Sequence, residues 1–281
     1  MKANETRLML QTSVSDLDSQ KHVNSASYLA FAEEGQYDLL KKNGFDYLYF
    51  RYNKLSVKTL ASHINFHKQQ FPQTFLEIIT NIYRDGDILY WKQNILNHAS
   101  KELSCSLSTI SKINSMPQDL AAFSRGIPFL EMESNNLGDF SQTCKRSMMY
   151  HKVRHVDLDG FEKLSTKTLW RLNEEARWSF LNETGISIEN LLQNDITLFW
   201  IEGVYKYFEN SGLGEPLRIF SWIDRMDKVR IYFRQEIIDS QGKRVSFTEG
   251  KFLCVSITTS KPKRIPEFIK RAFVDYINKP L

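Results

Sequence analysis

The sequence predicts an α+β protein built from two copies of one unit, each a long helix wrapped by a mostly antiparallel sheet. Two observations predict this. First, DLDSQKHVNSASYLAFAEEGQYDLL (Asp16 to Leu40) matches DLDGFEKLSTKTLWRLNEEARWSFL (Asp157 to Leu181) without a gap at an offset of 141 (157 − 16), with six of 25 positions identical. Unrelated stretches of that length share about one or two residues, so the match reads as a duplication. Second, the match continues. Leu76-Glu77-Ile78 faces Leu217-Arg218-Ile219, and YWKQNIL (Tyr90 to Leu96) faces YFRQEII (Tyr232 to Ile238) at offset 142. The extra residue falls in a turn, where insertions cost least.

The first unit opens with a strand from Arg7 to Val14, a polar loop and a helix from about Ser25 to Lys42. Tyr28, Phe31, Ala32, Gly35 and Leu39 recur on one helix face. Asn24 or Ser25 suits the N-cap and Asn43-Gly44 the stop. Gly35 costs about 1 kcal/mol relative to Ala in mid-helix, so a close neighbour is expected there. Strands follow at Thr59 to Lys68, Phe75 to Arg84, Ile88 to Asn97 and Leu103 to Ile113, rich in β-branched and aromatic residues. The Pro- and Gly-containing stretch 114–146 reads as a linker, with a short helix near Gln118 to Phe123.

The second unit repeats the order: a strand from Ser147 to His155, the loop DLDGFEKLS, a helix from Thr166 to Asn182, and strands at Thr197 to Phe208, Pro216 to Arg225, Val229 to Ile238 and Val245 to Thr259. A surface helix is expected over Pro266 to Ile277. The domains are thus 1–113, a linker 114–146, 147–260 and a tail 261–281. Pairing of sheet edges would join the copies into a pseudo-dimer with one continuous sheet.

Composition narrows the function classes. Apolar residues at 42% and charged residues at 25% are those of a globular chain. Nineteen Phe and twelve Tyr imply a large aromatic core or an apolar ligand cavity. The net charge of +4 is dispersed except in SKPKRIPEFIKR (Ser260 to Arg271), which suits a solvated face, a phosphate or an acidic carrier protein. No basic stripe with stacking aromatics points to nucleic acid. No signal-like or membrane-spanning apolar run is present. Cys105, Cys144 and Cys254 lack paired spacing, so a reducing cytoplasm is the expected location.

The densest chemistry is in DLDSQKHVNSASY. It sets Asp18, Gln20, His22 and Asn24 immediately before a helix N-terminus, whose unpaired N–H groups suit a developing oxyanion. Asp18 can act as general base or nucleophile and His22 can carry a proton. An Asp before a helix is also a common cap. His63 and His67, and His151 and His155, each share a strand face by spacing, yet no Cys or carboxylate completes a metal set, so neither metal nor cofactor is expected. The cysteines read as packed thiols.

The motif DLDSQKHVNSASY resembles the loop and helix start of hotdog-fold thioesterases, Asp-x-x-x-His-Val-Asn-Asn-x-x-Tyr, a superfamily that includes 4-hydroxybenzoyl-CoA-type acyl-CoA thioesterases and acyl-acyl-carrier-protein thioesterases. Glu174-Glu175-Ala176-Arg177 and the ending CVSITTSKPKRIP extend the resemblance to the second unit. It implies a tandem double hotdog that hydrolyses an acyl-CoA or acyl-acyl-carrier-protein thioester, as a monomeric pseudo-dimer or a homodimer of double hotdogs. Asp18 matches the catalytic carboxylate, and His22 and Asn24 the family's His and first Asn. Gln20 stands where the carrier-protein enzymes have Asn, and Ser25 replaces the second Asn. N–H groups at Val23, Asn24 and Ser25 would stabilise the oxyanion.

The second loop keeps Asp159 but has Phe161 and Lys163 for Gln20 and His22. A Lys163–Asp159 salt bridge would idle that carboxylate; Lys163 could instead hold a pantetheine phosphate. Asp159, Lys163 and Glu174 form a possible second site. Glu33, Glu34, Glu174 and Glu175 are candidate acid/base groups or solvated helix carboxylates. The alternatives to hydrolysis are hydration or dehydration of an acyl thioester, and non-catalytic acyl binding.

Overall fold

The computed structural model describes residues 4–18, 21–115, 117, 123, 144–208 and 211–278. The chain divides into two compact units, Met1–Met132 and Glu133–Leu281. The expected helix near Gln118 to Phe123 and most of the linker lie outside the described residues.

The first unit runs β1 (Glu5–Gln11), α1 (Ser25–Lys42), α2 (Tyr47–Tyr52), β2 (Val57–Phe66), β3 (Phe75–Asp85), β4 (Ile88–Asn97) and β5 (Leu103–Ile113). Its strands pair antiparallel in the order β1-β3-β4-β5-β2. The second unit runs β6 (Ser147–Lys152), α3 (Thr166–Glu183), α4 (Ile188–Gln193), β7 (Thr197–Tyr207), β8 (Pro216–Met226), β9 (Arg230–Ile238), β10 (Arg244–Val255) and α5 (Glu267–Phe273). Its order, β6-β8-β9-β10-β7, repeats that of the first, again antiparallel throughout.

The strand sequences alternate because only one sheet face packs on the helix. In β3 every second residue from Leu76 to Arg84 is buried. Across from it α1 buries Tyr28, Phe31, Ala32, Gly35 and Leu39, the periodic face expected from the sequence, together with Ala26, Leu29 and Leu40. Asn24 caps the helix, its Oδ1 accepting the Ala26 N–H at 2.6 Å, and Gly44 follows the last turn at φ +87°.

Gly35 has the close neighbour its cost demanded. A Cβ there would lie 2.5 Å from Thr80 Oγ1 and 2.8 Å from an Ile78 methyl. The contact is locked by Gln93 on β4, whose Nε2 donates to the Ala32 carbonyl (2.7 Å) and to Thr80 Oγ1 (2.9 Å). The second unit repeats the lock: Gln235 Nε2 donates to the Asn173 carbonyl (2.8 Å) and to Ser221 Oγ (3.1 Å).

Two expectations are corrected. The first strand of the second unit ends at Lys152, and His155 opens a 3-10 turn (His155–Asp157); the chain turns there, so His151 and His155 do not share a strand face. The tail helix is not a surface appendage: Ile269, Phe273 and Tyr276 are buried in one cluster with Phe180, Ile223, Ile231 and Phe233. The short helices α2 and α4 were not foreseen.

Candidate active site

The loop between β1 and α1 is pinched at two levels. Asp16 closes a 3-10 turn (Val14–Asp16), accepting the Ser13 N–H at 2.7 Å, and its carbonyl receives the Asn24 N–H at 2.8 Å. Further in, Leu17 and Val23 bridge antiparallel. The Asp18 N–H donates to the His22 carbonyl (2.8 Å), and the His22 N–H donates to Asp18 Oδ1 (3.2 Å). Lys21 turns the tip at φ +66°.

The second loop has the same bonds. Asp157 Oδ2 accepts the Arg154 N–H (2.8 Å), Leu158 bridges Leu164, and the Asp159 N–H donates to the Lys163 carbonyl (2.7 Å). Lys163 N–H donates to Asp159 Oδ1 (3.0 Å), and Glu162 turns the tip at φ +62°. Asp16/Asp157 and Asp18/Asp159 are therefore identical in part because each carboxylate accepts the backbone N–H that closes its loop. The expected Lys163–Asp159 salt bridge is absent among the described residues: Lys163 reaches the carboxylate through its backbone, which requires no ammonium.

The copies differ in what surrounds these carboxylates. Asp18 is half-buried and Asp159 exposed. Residues 67–74, after β2, pack on the first loop. The Gln70 carbonyl accepts the Val23 N–H (2.9 Å), and the Gln70 side chain is fixed by Ser104 Oγ (2.8 Å) and Asn97 Nδ2 (2.9 Å). His22 Nδ1 lies 3.5 Å from Gln69 Nε2, and its ring meets Phe71 edge-on with centroids 5.6 Å apart. Gln69, Gln70 and Phe71 were missed from sequence. Paired amides beside an aromatic in a loop follow no period; only the tertiary contact reveals them.

The expected oxyanion donors are only partly available. Val23 N–H is taken by Gln70 and Asn24 N–H by Asp16. Ser25 N–H, first in the helix, remains as a donor with no intrahelical acceptor. Gln20 lies outside the described residues. Tyr28, the motif's Tyr, is buried, and among the described residues its hydroxyl meets no hydrogen-bond partner; burial raises its pKa well above the usual phenol range, with Cys105 adding to the rise. Cys105 is itself fully buried and held protonated by that burial. Glu33 and Glu174 are half-buried, whereas Glu34 and Glu175 face solvent.

With this fold and loop in place, the class is that of hotdog thioester hydrolases. The family model of the thioesterase-like superfamily matches residues 12–110 and 153–273, and the chain belongs to that superfamily. No curated protein matches the sequence. Among solved structures, a protein of Lactobacillus plantarum provisionally assigned as an oleoyl thioesterase superposes with a TM-score of 0.74 at 11% identity, covering 94% of this chain and 98% of its own. The 12:0-ACP thioesterase of Umbellularia californica gives 0.71 at 10% identity, covering 90% and 95%. An acyl-ACP thioesterase of Bacteroides thetaiotaomicron gives 0.68 at 10%, covering 89% and 98%. At such identities the likeness establishes the shared fold over both units. Among the described residues no helix is long and apolar enough to cross a membrane.

Proposed function

We propose that the chain hydrolyses acyl-CoA or acyl-acyl-carrier-protein thioesters at the first loop, with Asp18 as the reacting carboxylate. The observation that carries this reading is the half-buried Asp18, aimed by the His22 N–H and set beside His22 ahead of the α1 N-terminus. Asp18 removes a proton from water, or attacks the acyl carbon itself. The carbonyl oxygen gains the negative charge, and the Ser25 N–H and the helix dipole stabilise it. Collapse of the tetrahedral adduct breaks the C–S bond. The thiolate leaves and takes a proton delivered through His22; where water attacked, the acid remains, and where Asp18 attacked, a mixed anhydride of Asp18 remains until water hydrolyses it to the acid and restores the carboxylate. Gln20 and Asn24 orient the water in this scheme, although Asn24 Oδ1 is already engaged as the helix cap. The second loop, with its exposed Asp159, is a structural copy.

Release of free thiol from a panel of acyl-CoA and acyl-carrier-protein substrates tests this. Asp18→Asn keeps an acceptor for the His22 N–H and removes the base, so turnover falls about 10²- to 10⁴-fold. Asp159→Asn leaves turnover within about twofold, since Asn keeps the Oδ1 that accepts the Phe161 and Lys163 N–H groups closing that loop and surface changes that keep such bonds shift stability little. Equal losses in both variants would assign the carboxylates to loop closure alone. Wild-type protein that releases no thiol, but forms an enoyl product absorbing in the ultraviolet, is a dehydratase.

A further inference from the structure

Trp91 on β4, Thr109 on β5 and Ser62 on β2 form one row across three strands: Trp91 is the cross-strand partner of Thr109, and Thr109 that of Ser62. Directly opposed residues hold their Cβ atoms about 5 Å apart. The row lies on the sheet face that packs on α1, since Gln93, two residues beyond Trp91, donates to the Ala32 carbonyl of that helix. All three residues are at most 3% exposed. Yet Trp91 Nε1, Thr109 Oγ1 and Ser62 Oγ meet no hydrogen-bond partner among the described residues. A buried N–H or hydroxyl left unpaired costs about 1–3 kcal/mol. Three in one row call for a polar partner that the described residues do not supply.

The second unit shows that the backbone does not require these groups. Its equivalents, in the same register, are Phe233, Gly250 and Gly203, and none has a polar side chain. There the Trp200 indole lies against both glycines: a Cβ on Gly250 would fall 1.7 Å from it, and one on Gly203 2.9 Å from its Nε1. Packing in the first unit does not require hydroxyls either. Val would fill the place of Thr109 with the same shape and no polar atom to satisfy. The rows on either side, Leu89 with Ser111 and Gln93 with Leu107 and Ile64, carry no charge, so the missing partner is a neutral group.

We propose that this row binds a hydroxyl group on the substrate's acyl chain and makes the first unit selective for hydroxylated acyl thioesters, a substrate class that rests on the proposed function. Trp91 Nε1 only donates, whereas Thr109 and Ser62 donate and accept. A hydroxyl matches that mixed set, while a ketone could only accept. The strand also fixes where on the chain the hydroxyl lies. Gln70, whose carbonyl holds the first loop at Val23, is itself held by Ser104 at the start of β5. Thr109 is five residues further along β5, about 17 Å. The hydroxyl therefore lies far from the thioester, not on the carbons beside it.

Calorimetric titration of the full chain with decanoate, dodecanoate and hexadecanoate, each against its terminally hydroxylated counterpart, reads the site without turnover. At the chain length whose hydroxyl reaches the row, the hydroxylated acid should bind about threefold to tenfold more tightly, the worth of one neutral hydrogen bond. Thr109→Val, which keeps the shape, and Ser62→Ala bring that ratio to about one. In turnover assays the same variants lower the ratio of kcat/KM for the hydroxyacyl-CoA over that for the plain acyl-CoA. A calorimetric preference in a protein that releases no thiol from any ester supports the hydroxyl site and counts against hydrolysis alone. Wild-type protein that prefers no hydroxylated acid over its plain counterpart overturns the proposal. So does a Ser62→Ala, Thr109→Val double variant with unchanged near-ultraviolet circular dichroism that keeps the preference.

Discussion

Gly35 shows how one missing side chain sets a helix. Its absent Cβ lets α1 approach Thr80 and Ile78; the second unit has Ala176 at the equivalent place and the smaller Ser221 at that of Thr80, bonded through Gln235 to the helix carbonyl of Asn173. Gly35→Ala therefore loses stability even though Ala is the better helix former by about 1 kcal/mol. Overpacking against Thr80 costs about 1–3 kcal/mol, and urea denaturation should show a lower midpoint; Thr80→Ser in the same chain relieves part of it. Asp157 makes a second case. Burial pushes its carboxyl up, but the Arg154 N–H, the His151 ring at 2.8 Å and the Arg154 guanidinium outweigh burial and hold it below the usual range. A carboxyl with a lowered folded pKa adds stability above its unfolded value of about 3.9 and loses it as pH falls through the folded value. His151→Leu, the residue found at Leu10, removes one of these supports. Acid unfolding followed by circular dichroism should then begin at a higher pH, and an unchanged acid midpoint would assign the support to Arg154 alone.

At the scale of elements, what was legible depended on length and partner. The helices α1 and α3 show their buried faces because eighteen residues span several periods; α2 and α4, at six residues, are too short to show one. The strands β4 and β5 were placed to the residue because turns bound them and their faces alternate. The tail was misjudged because Lys261, Lys263, Arg264, Lys270 and Arg271 dominate its composition, while four of its apolar residues, Ile265, Ile269, Phe273 and Tyr276, turn inward. Ile269, Phe273 and Tyr276 are each under 5% exposed, and Phe273 packs on Phe180 with centroids 5.2 Å apart. Phe273→Ala should cost about 3–5 kcal/mol, read as a lower thermal midpoint, whereas Val274→Ala, exposed one residue on, should cost almost nothing.

At the scale of the whole chain, duplication made the candidate site readable and also blurred it. The offset exposed two loops with matching carboxylates, and His22 and Asn24 singled out the first. Identity between copies could not separate chemistry from construction, because the backbone bonds that close both loops require an acceptor at Asp18 and Asp159 alike. The contacts that set the first loop apart come from Gln69, Gln70 and Phe71, some fifty residues downstream, and no local pattern announces them.

The tips of the two loops carry a consequence of their own. Each turns on one exposed residue of positive φ, Lys21 in the first unit and Glu162 in the second. Equivalent points of the two copies thus present opposite charges to the solvent. Counted whole, the first loop (16–24) carries two Asp and one Lys and the second (157–165) two Asp, one Glu and one Lys, so a carrier that bears phosphates is repelled less at the first loop than at the second, and this difference acts over about a Debye length, before any contact forms. The duplicated backbone is neutral between its two loops, but diffusion toward them is not.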